Sequence, residues 1–386
     1  MTYALIGARI FNDNTTWLDG YAVVIDAGRI TAVTPEGALD PAIERQSTSG
    51  LLVPGFIDVQ VNGGGGVLFN DSPNVEGITA IGAAHRAYGT TGFLPTFITD
   101  TPARMRQAIA ATREAAAQQA PGLLGVHLEG PFLNPARKGI HDPALIRPMD
   151  DDDIRQITAL AHDLPENMRV HVTLAPEMVE ATAIDQLIAA GVVLSAGHTA
   201  ASAEAIIDAR ARGLSGFTHL FNAMPPLTSR DPGPVGVAFT DPESFCGLIV
   251  DLHHASPIAL KAAIRAHGPE RMMLVTDAMS SVGFSEDTFA LLGRQITRAD
   301  GRLTADDGTL AGSDLDMASA VRNTVNCLDV SLEEALRMAS LYPAMFLRVE
   351  NELGRITPGY QANLVALDAD LNVSGSWING IGTPPQ

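Results

Sequence analysis

Eight times across the middle of this 386-residue chain, a short apolar run is followed by a more polar stretch, and few architectures accept that rhythm. The apolar runs fall at 56–62, 92–99, 122–129, 169–175, 192–198, 217–222, 245–254 and 272–277. Short, rich in Val, Ile, Leu and Phe, and bounded by turn residues, they read as strands buried on both faces. Alanine-rich stretches with helical spacing lie between most of them, at 103–119, 181–190, 202–212 and 256–267. Strand alternating with helix eight times is the pattern of an α/β fold of the (β/α)8, TIM-like barrel type. A doubly wound open sheet is the alternative. Further helices at 318–327 and 332–341 would pack outside the barrel.

The two ends have another style. Residues 4–10, 21–26 and 29–33 are β-rich, with a hairpin turn signal at Asp26-Ala27-Gly28, and the same character returns at 364–368 and 377–380. The expectation is a small β-sandwich domain built from both chain ends, residues 1–53 with 356–386, around a barrel domain of 54–355.

Charge narrows the functions. A formal net charge of -19 argues against nucleic acid and against an anionic membrane surface as partners. An anionic substrate would need a few local basic groups working against the global field. No apolar run is long enough for a membrane span, and residues 1–6 lack the basic and apolar regions of a signal peptide, so a cytoplasmic location is expected. The cysteines Cys246 and Cys327 sit in apolar surroundings and read as free thiols.

In such barrels the chemistry stands at the carboxyl ends of the strands. Strand three ends at Glu129, strand five at His198, strand six at His219 and strand eight at Asp277. One carboxylate and two imidazoles make a three-ligand set with a position left open, the arrangement of a catalytic zinc site. A divalent ion held there brings the pKa of its water towards neutrality. Asp277 then suits the role of general base, and afterwards general acid. Asn222-Ala223, at a strand-to-loop junction, can turn backbone N–H groups to an anion; Arg230, in a Pro- and Gly-rich loop, and His254 can add charged donors. His127 and His171, within strands, read as core residues, and His85, His162 and His267 as ordinary surface or helix-end residues.

These residues resemble the N-acetylglucosamine-6-phosphate deacetylases of the amidohydrolase superfamily. The likeness runs through Pro54-Gly55-Phe56-Ile57-Asp58, His127-Leu128-Glu129-Gly130-Pro131-Phe132, Lys138-Gly139-Ile140-His141 and Gly197-His198-Thr199. It continues in Thr218-His219-Leu220-Phe221-Asn222-Ala223-Met224, Thr276-Asp277-Ala278 and Leu310-Ala311-Gly312-Ser313. The resemblance implies Glu129, His198 and His219 as metal ligands, Asp277 as acid/base, and His141 as the group polarising the acetamide carbonyl. It implies Asn222, Ala223, Arg230 and His254 around the sugar phosphate, with Ile140 and the segment Leu310, Ala311, Gly312 lining the substrate pocket. A homodimer is implied too, since one basic loop in that family typically reaches the neighbouring subunit's site. The implied reaction is hydrolysis of N-acetyl-D-glucosamine 6-phosphate to D-glucosamine 6-phosphate and acetate. The alternatives are the N-acetylgalactosamine 6-phosphate reaction and a non-catalytic sugar-phosphate-binding barrel.

One departure matters. Where most of the superfamily carries His-x-His at the end of strand one, this chain reads Gln60-Val61-Asn62. Neutral amides are poor ligands beside imidazole and carboxylate. One divalent ion per subunit is therefore expected, zinc first, with Fe2+, Co2+ or Mn2+ as substitutes.

Overall fold

The computed structural model describes residues 2–291 and 293–383, so the extreme ends of the expected β domain, Met1 and 384–386, lie outside the described residues. Its centre is an eight-stranded sheet of β1 (Phe56–Val61), β2 (Thr90–Ile98), β3 (Gly125–Glu129), β4 (Arg169–Leu174), β5 (Val193–Ala196), β6 (Gly216–Phe217), β7 (Phe245–Ile249) and β8 (Met272–Val275). Neighbours in the sheet are neighbours in the chain, and every pair is parallel. After each strand comes a helix: α1 (Val75–Arg86), α2 (Pro102–Ala117), α3 (Asp151–Asp163), α4 (Ala181–Ala189), α5 (Ala203–Arg212), α6 (Gly233–Thr240), α7 (Pro257–His267) and α8 (Met317–Cys327). The strands are buried on both faces, as a helix-wrapped parallel sheet requires. This is the (β/α)8 barrel, not the open sheet.

The helices start where short polar side chains can take an unpaired N–H. Asn74, Thr101, Ser202, Ser256 and Asp316 each accept from the backbone N–H three residues on. The α3 cap, Asp150, forms a reciprocal pair with Asp153, whose carboxylate also accepts from the two terminal guanidinium nitrogens of Arg147 at 2.5 and 2.7 Å.

The ring closes between β1 and the residues after β8. The Asp277 N–H donates to Gln60 O and the Asn62 N–H to Ala278 O, both at 2.9 Å. Below them a side chain makes the join: Asp58 accepts from Thr276 Oγ1 at 2.5 Å and from the Thr276 N–H at 3.3 Å. Burial drives this carboxyl up to about 7, against the opposing pull of those hydrogen bonds.

Three elements depart from the sequence reading. β6 covers only two residues, because His219, Phe221 and Ala223 take left-handed backbone angles and the chain leaves the sheet early. The helix expected at 332–341 is two, Leu332–Ala339 and Leu341–Phe346, since Pro343 has no N–H for the Ala339 carbonyl. Between β8 and α8 stands an unforeseen four-stranded antiparallel sheet: Thr288–Leu291, Arg294–Ala299, Arg302–Ala305 and Leu310–Ser313. Its central hairpin turns at Asp300-Gly301, both with positive φ.

The ends of the chain share a six-stranded sheet in which Leu364–Leu367 pairs antiparallel with Leu51–Pro54. A second, four-stranded sheet is built from N-terminal strands. Leu5, Ile10, Ile25, Leu52, Leu364 and Trp377 belong to the core shared by the two sheets.

Candidate active site

Glu129 is the last residue of β3, while His198, His219 and Asp277 each stand two residues beyond β5, β6 and β8. Those three have φ of 48, 34 and 54°, in the left-handed region that L-residues avoid at a cost of roughly 1–2 kcal/mol. Repetition of the same unfavourable turn at three strand ends means that the surrounding mouth of the barrel over-determines it.

The first three converge. Glu129 Oε1 lies 3.0 Å from His219 Nε2 and 3.1 Å from His198 Nε2, and the two imidazole nitrogens are 3.0 Å apart. All are buried. Burial pushes the Glu129 carboxyl up, but the hydrogen bonds with both rings outweigh it and hold the group well below the ordinary range. His198 Nδ1 lies 2.8 Å from the Arg137 carbonyl, so it carries the proton and leaves a lone pair on Nε2. Two facing ring nitrogens plus a carboxylate oxygen suit a shared cation, since neighbouring donors bound at about 2.0–2.2 Å stand at this kind of spacing. The donor set fits a divalent ion, and among the described residues it is the one group of this kind.

Asp277 faces the set and is held by the amides of β1. Its Oδ1 accepts from Asn62 Nδ2 at 2.7 Å and from Gln60 Nε2 at 3.2 Å; Gln60 Nε2 also lies 3.2 Å from Glu129 Oε2. Burial and then the Glu129 charge raise the Asp277 carboxyl above its usual value, towards the range where a proton can be both taken and returned. Gln60 and Asn62 thus contact the site, where the sequence alone shows them only as missing ligands. The available signal was their spacing, since residues two apart on a strand share a face.

His141 is fully buried, its ring 4.4 Å from that of His198. Its Nδ1 receives the Thr99 N–H at 3.4 Å and lies 2.7 Å from Thr99 Oγ1, which leaves the ring proton on Nε2. Burial, followed by the His198 ring, depresses it to about 3, so the imidazole is a neutral donor.

These groups border a cavity of about 250 Å³. Ile140, Asn222, Ala223 and His254 line it from the barrel loops, and Leu310 and Gly312 from the inserted sheet. Two expected residues stand elsewhere. Arg230 is exposed on its loop, outside the cavity of its own chain. Ala311 packs into the apolar core of the inserted sheet, because successive residues on a strand face opposite ways. No lysine or arginine lines the cavity among the described residues. His254 is tied by Nδ1 to Asp251 Oδ2 at 2.6 Å, a pairing not singled out from the sequence.

Four of the remaining histidines are structural. His127 and His171 stack at 4.0 Å inside the barrel, with His127 bonded to Thr96 and Thr173. His85 and His267, expected at the surface or at helix ends, close their helices but are buried, against the carbonyls of Gly63 and Ser244 respectively. His162 is exposed.

The Amidohydrolase family model matches residues 51–381, and that of the NagA composite domain residues 2–53. An N-acetylgalactosamine-6-phosphate deacetylase of Shewanella sp. (strain ANA-3) is 45% identical over 333 residues, 86% of this chain and 83% of the relative. The crystal structure of the N-acetylglucosamine-6-phosphate deacetylase of Pasteurella multocida superposes with a TM-score of 0.94 at 32% identity, covering 100% of both chains. That of the Mycobacterium smegmatis N-acetyl-D-glucosamine-6-phosphate deacetylase in complex with N-acetyl-D-glucosamine-6-phosphate gives 0.88 at 30% identity, over 99% of each.

Proposed function

The chain belongs to the Amidohydrolase family, and on that premise we propose that it is a deacetylase that hydrolyses the acetamide of an N-acetylhexosamine 6-phosphate to the amino-sugar phosphate and acetate. The observation that carries this reading is the Asp277 carboxylate, raised by burial and held by two amides beside the Glu129, His198 and His219 donors.

Glu129, His198 and His219 would hold one divalent ion, zinc before Fe2+, Co2+ or Mn2+. Bound there, such an ion would supply Lewis acidity to the acetamide carbonyl and to the attacking water. Asp277 removes the proton of the attacking water and returns it to the departing amine. His141, with its proton on Nε2, donates to the developing oxyanion. His254, Asn222 and Ala223 take the phosphate end, and Ile140, Leu310 and Gly312 shape the wall around the sugar. The exposed Arg230 serves a neighbouring subunit's phosphate in a homodimer, and the enzyme works in the cytoplasm.

N-acetyl-D-glucosamine 6-phosphate is the first substrate to test. The 45% identity to an N-acetylgalactosamine-6-phosphate deacetylase supports the 4-epimer as a second. Acetate release should be measured on both with the zinc-loaded protein and with Asp277→Asn. The variant is expected to keep its metal and lose at least about a hundredfold in kcat. Absence of acetate from both epimers, or a near-native rate in the variant, overturns the proposal.

A further inference from the structure

Three loops meet behind His198, and one carboxylate ties them together. The loop after β3 grips the ring. Its Asn134 N–H donates to the His198 carbonyl at 2.9 Å, and its Arg137 carbonyl takes the proton of His198 Nδ1 at 2.8 Å. Gly139 comes so close that a Cβ there would stand 3.3 Å from Cε1 of the ring. The direction of the imidazole is therefore set by residues 134–139, provided that this loop is fixed against the end of β5.

Glu177, three residues past β4, does that fixing. Its Oε1 accepts from Asn134 Nδ2 at 2.9 Å and from the Ala200 N–H at 2.6 Å, and its Oε2 accepts the Thr199 hydroxyl at 2.6 Å. Thr199 is fully buried, and its oxygen in turn accepts the Ala201 N–H at 3.0 Å. One side chain on the β4 loop thus joins Asn134 to the two residues that follow His198. Hydrogen bonds to a carboxylate are roughly twice as strong as those between neutral groups. Their place in the chain gives them leverage. His198 sits at φ 48°, in a region that L-residues leave unless their neighbours are pinned, and Thr199 and Ala200 are those neighbours.

We infer that Glu177 is a positioning residue for His198: by tying Asn134 to Thr199 and Ala200 it holds the left-handed turn that aims Nε2 at Glu129 and His219. The inference rests on the reading of Glu129, His198 and His219 as the donors of a divalent ion. A ligand aimed in advance loses less freedom when the ion arrives, so the effect of Glu177 falls on affinity for the ion. Glutamine cannot stand in for it. An amide has one accepting oxygen and an NH2 group that only donates, so at least one of the three donors is left without its acceptor.

The test is zinc binding to the metal-free protein, followed by competition with a chromogenic chelator, for the native chain, Glu177→Gln, Thr199→Val and the double variant. Denaturant melts of each metal-free protein run alongside. Glu177→Gln should raise the zinc Kd about tenfold to a hundredfold. Thr199→Val, which removes one of the three donors, should raise it about threefold to tenfold. The double variant should match Glu177→Gln, because both substitutions break the same link. A native zinc Kd in folded Glu177→Gln overturns the inference. So does a lower melting midpoint with an unchanged Kd, which assigns Glu177 to stability alone. Effects that multiply in the double variant overturn it as well. Should Glu177→Gln not fold, Thr199→Val decides, and a native Kd there sinks the proposal. Failure of the native chain to bind zinc removes the reading of the donor set itself, an outcome distinct from all of these.

Discussion

Asp277 has to accept a proton, give it back, and point the same way throughout. The amides of Gln60 and Asn62 supply the direction, through hydrogen bonds to one carboxylate oxygen. A hydrogen bond to a charged group is worth about 1.5–3 kcal/mol, so Asn62→Leu should lower kcat by roughly tenfold to a hundredfold. KM and bound metal should stay near native, because the leucine touches neither donor set nor phosphate subsite. Loss of metal in step with activity would show instead that Asn62 supports the ion. At this scale the sequence was informative about Glu129, His198, His219 and Asp277, since a polar residue ending an apolar run has few other uses. It was less so about Gln60 and Asn62, because amides satisfy buried groups in many ways. That the Ala311 side chain turns into the apolar core of the inserted sheet, while its neighbours Leu310 and Gly312 border the cavity, was not legible, because the identity of a residue does not show which way its strand faces.

A barrel must close, and here the closure between the first and last strands depends on a carboxyl group. Asp58 on β1 holds the backbone and hydroxyl of Thr276, one residue before Asp277. Its pKa is raised from 3.8 to about 7 by burial. For a group whose folded value lies above its unfolded one, the stabilisation is complete below the unfolded pKa and is lost as pH climbs through the folded one. Native stability minus that of Asp58→Asn should therefore fall between about pH 4 and pH 7, by on the order of a few kcal/mol, and level off above. Denaturant melts across that window check it, and parallel curves for the two proteins refute it. Among the elements, long apolar strands and alanine-rich helices were readable from pattern alone. The sheet at 288–313 was not, because its strands are short and partly exposed and its Asp-Gly turn looks like an ordinary loop. The early end of β6 was hidden too, since the left-handed turn at His219 is imposed by the mouth of the barrel rather than by its own residues.

Taken whole, the molecule carries a net charge of -19 and is proposed to act on a doubly charged anion. Long-range repulsion slows encounter, while contacts inside the cavity are sheltered from counter-ions. Raising salt from about 0.01 M to about 0.15 M should accordingly increase kcat/KM for the phosphorylated sugar. It should leave the unphosphorylated sugar nearly unaffected. A fall with salt for the phosphorylated sugar would mean that exposed cations, Arg230 among them, dominate capture. The sheet that joins the chain ends bears on biosynthesis. Leu51–Pro54 leaves the ribosome early, yet the partner that covers its edge, Leu364–Leu367, follows only after the whole barrel has been translated. Until that partner emerges, the nascent chain carries one unpaired, apolar strand edge open to pairing with other chains. A stop codon just before Leu364 would make that hazard permanent, although every residue of the candidate active site is encoded ahead of it.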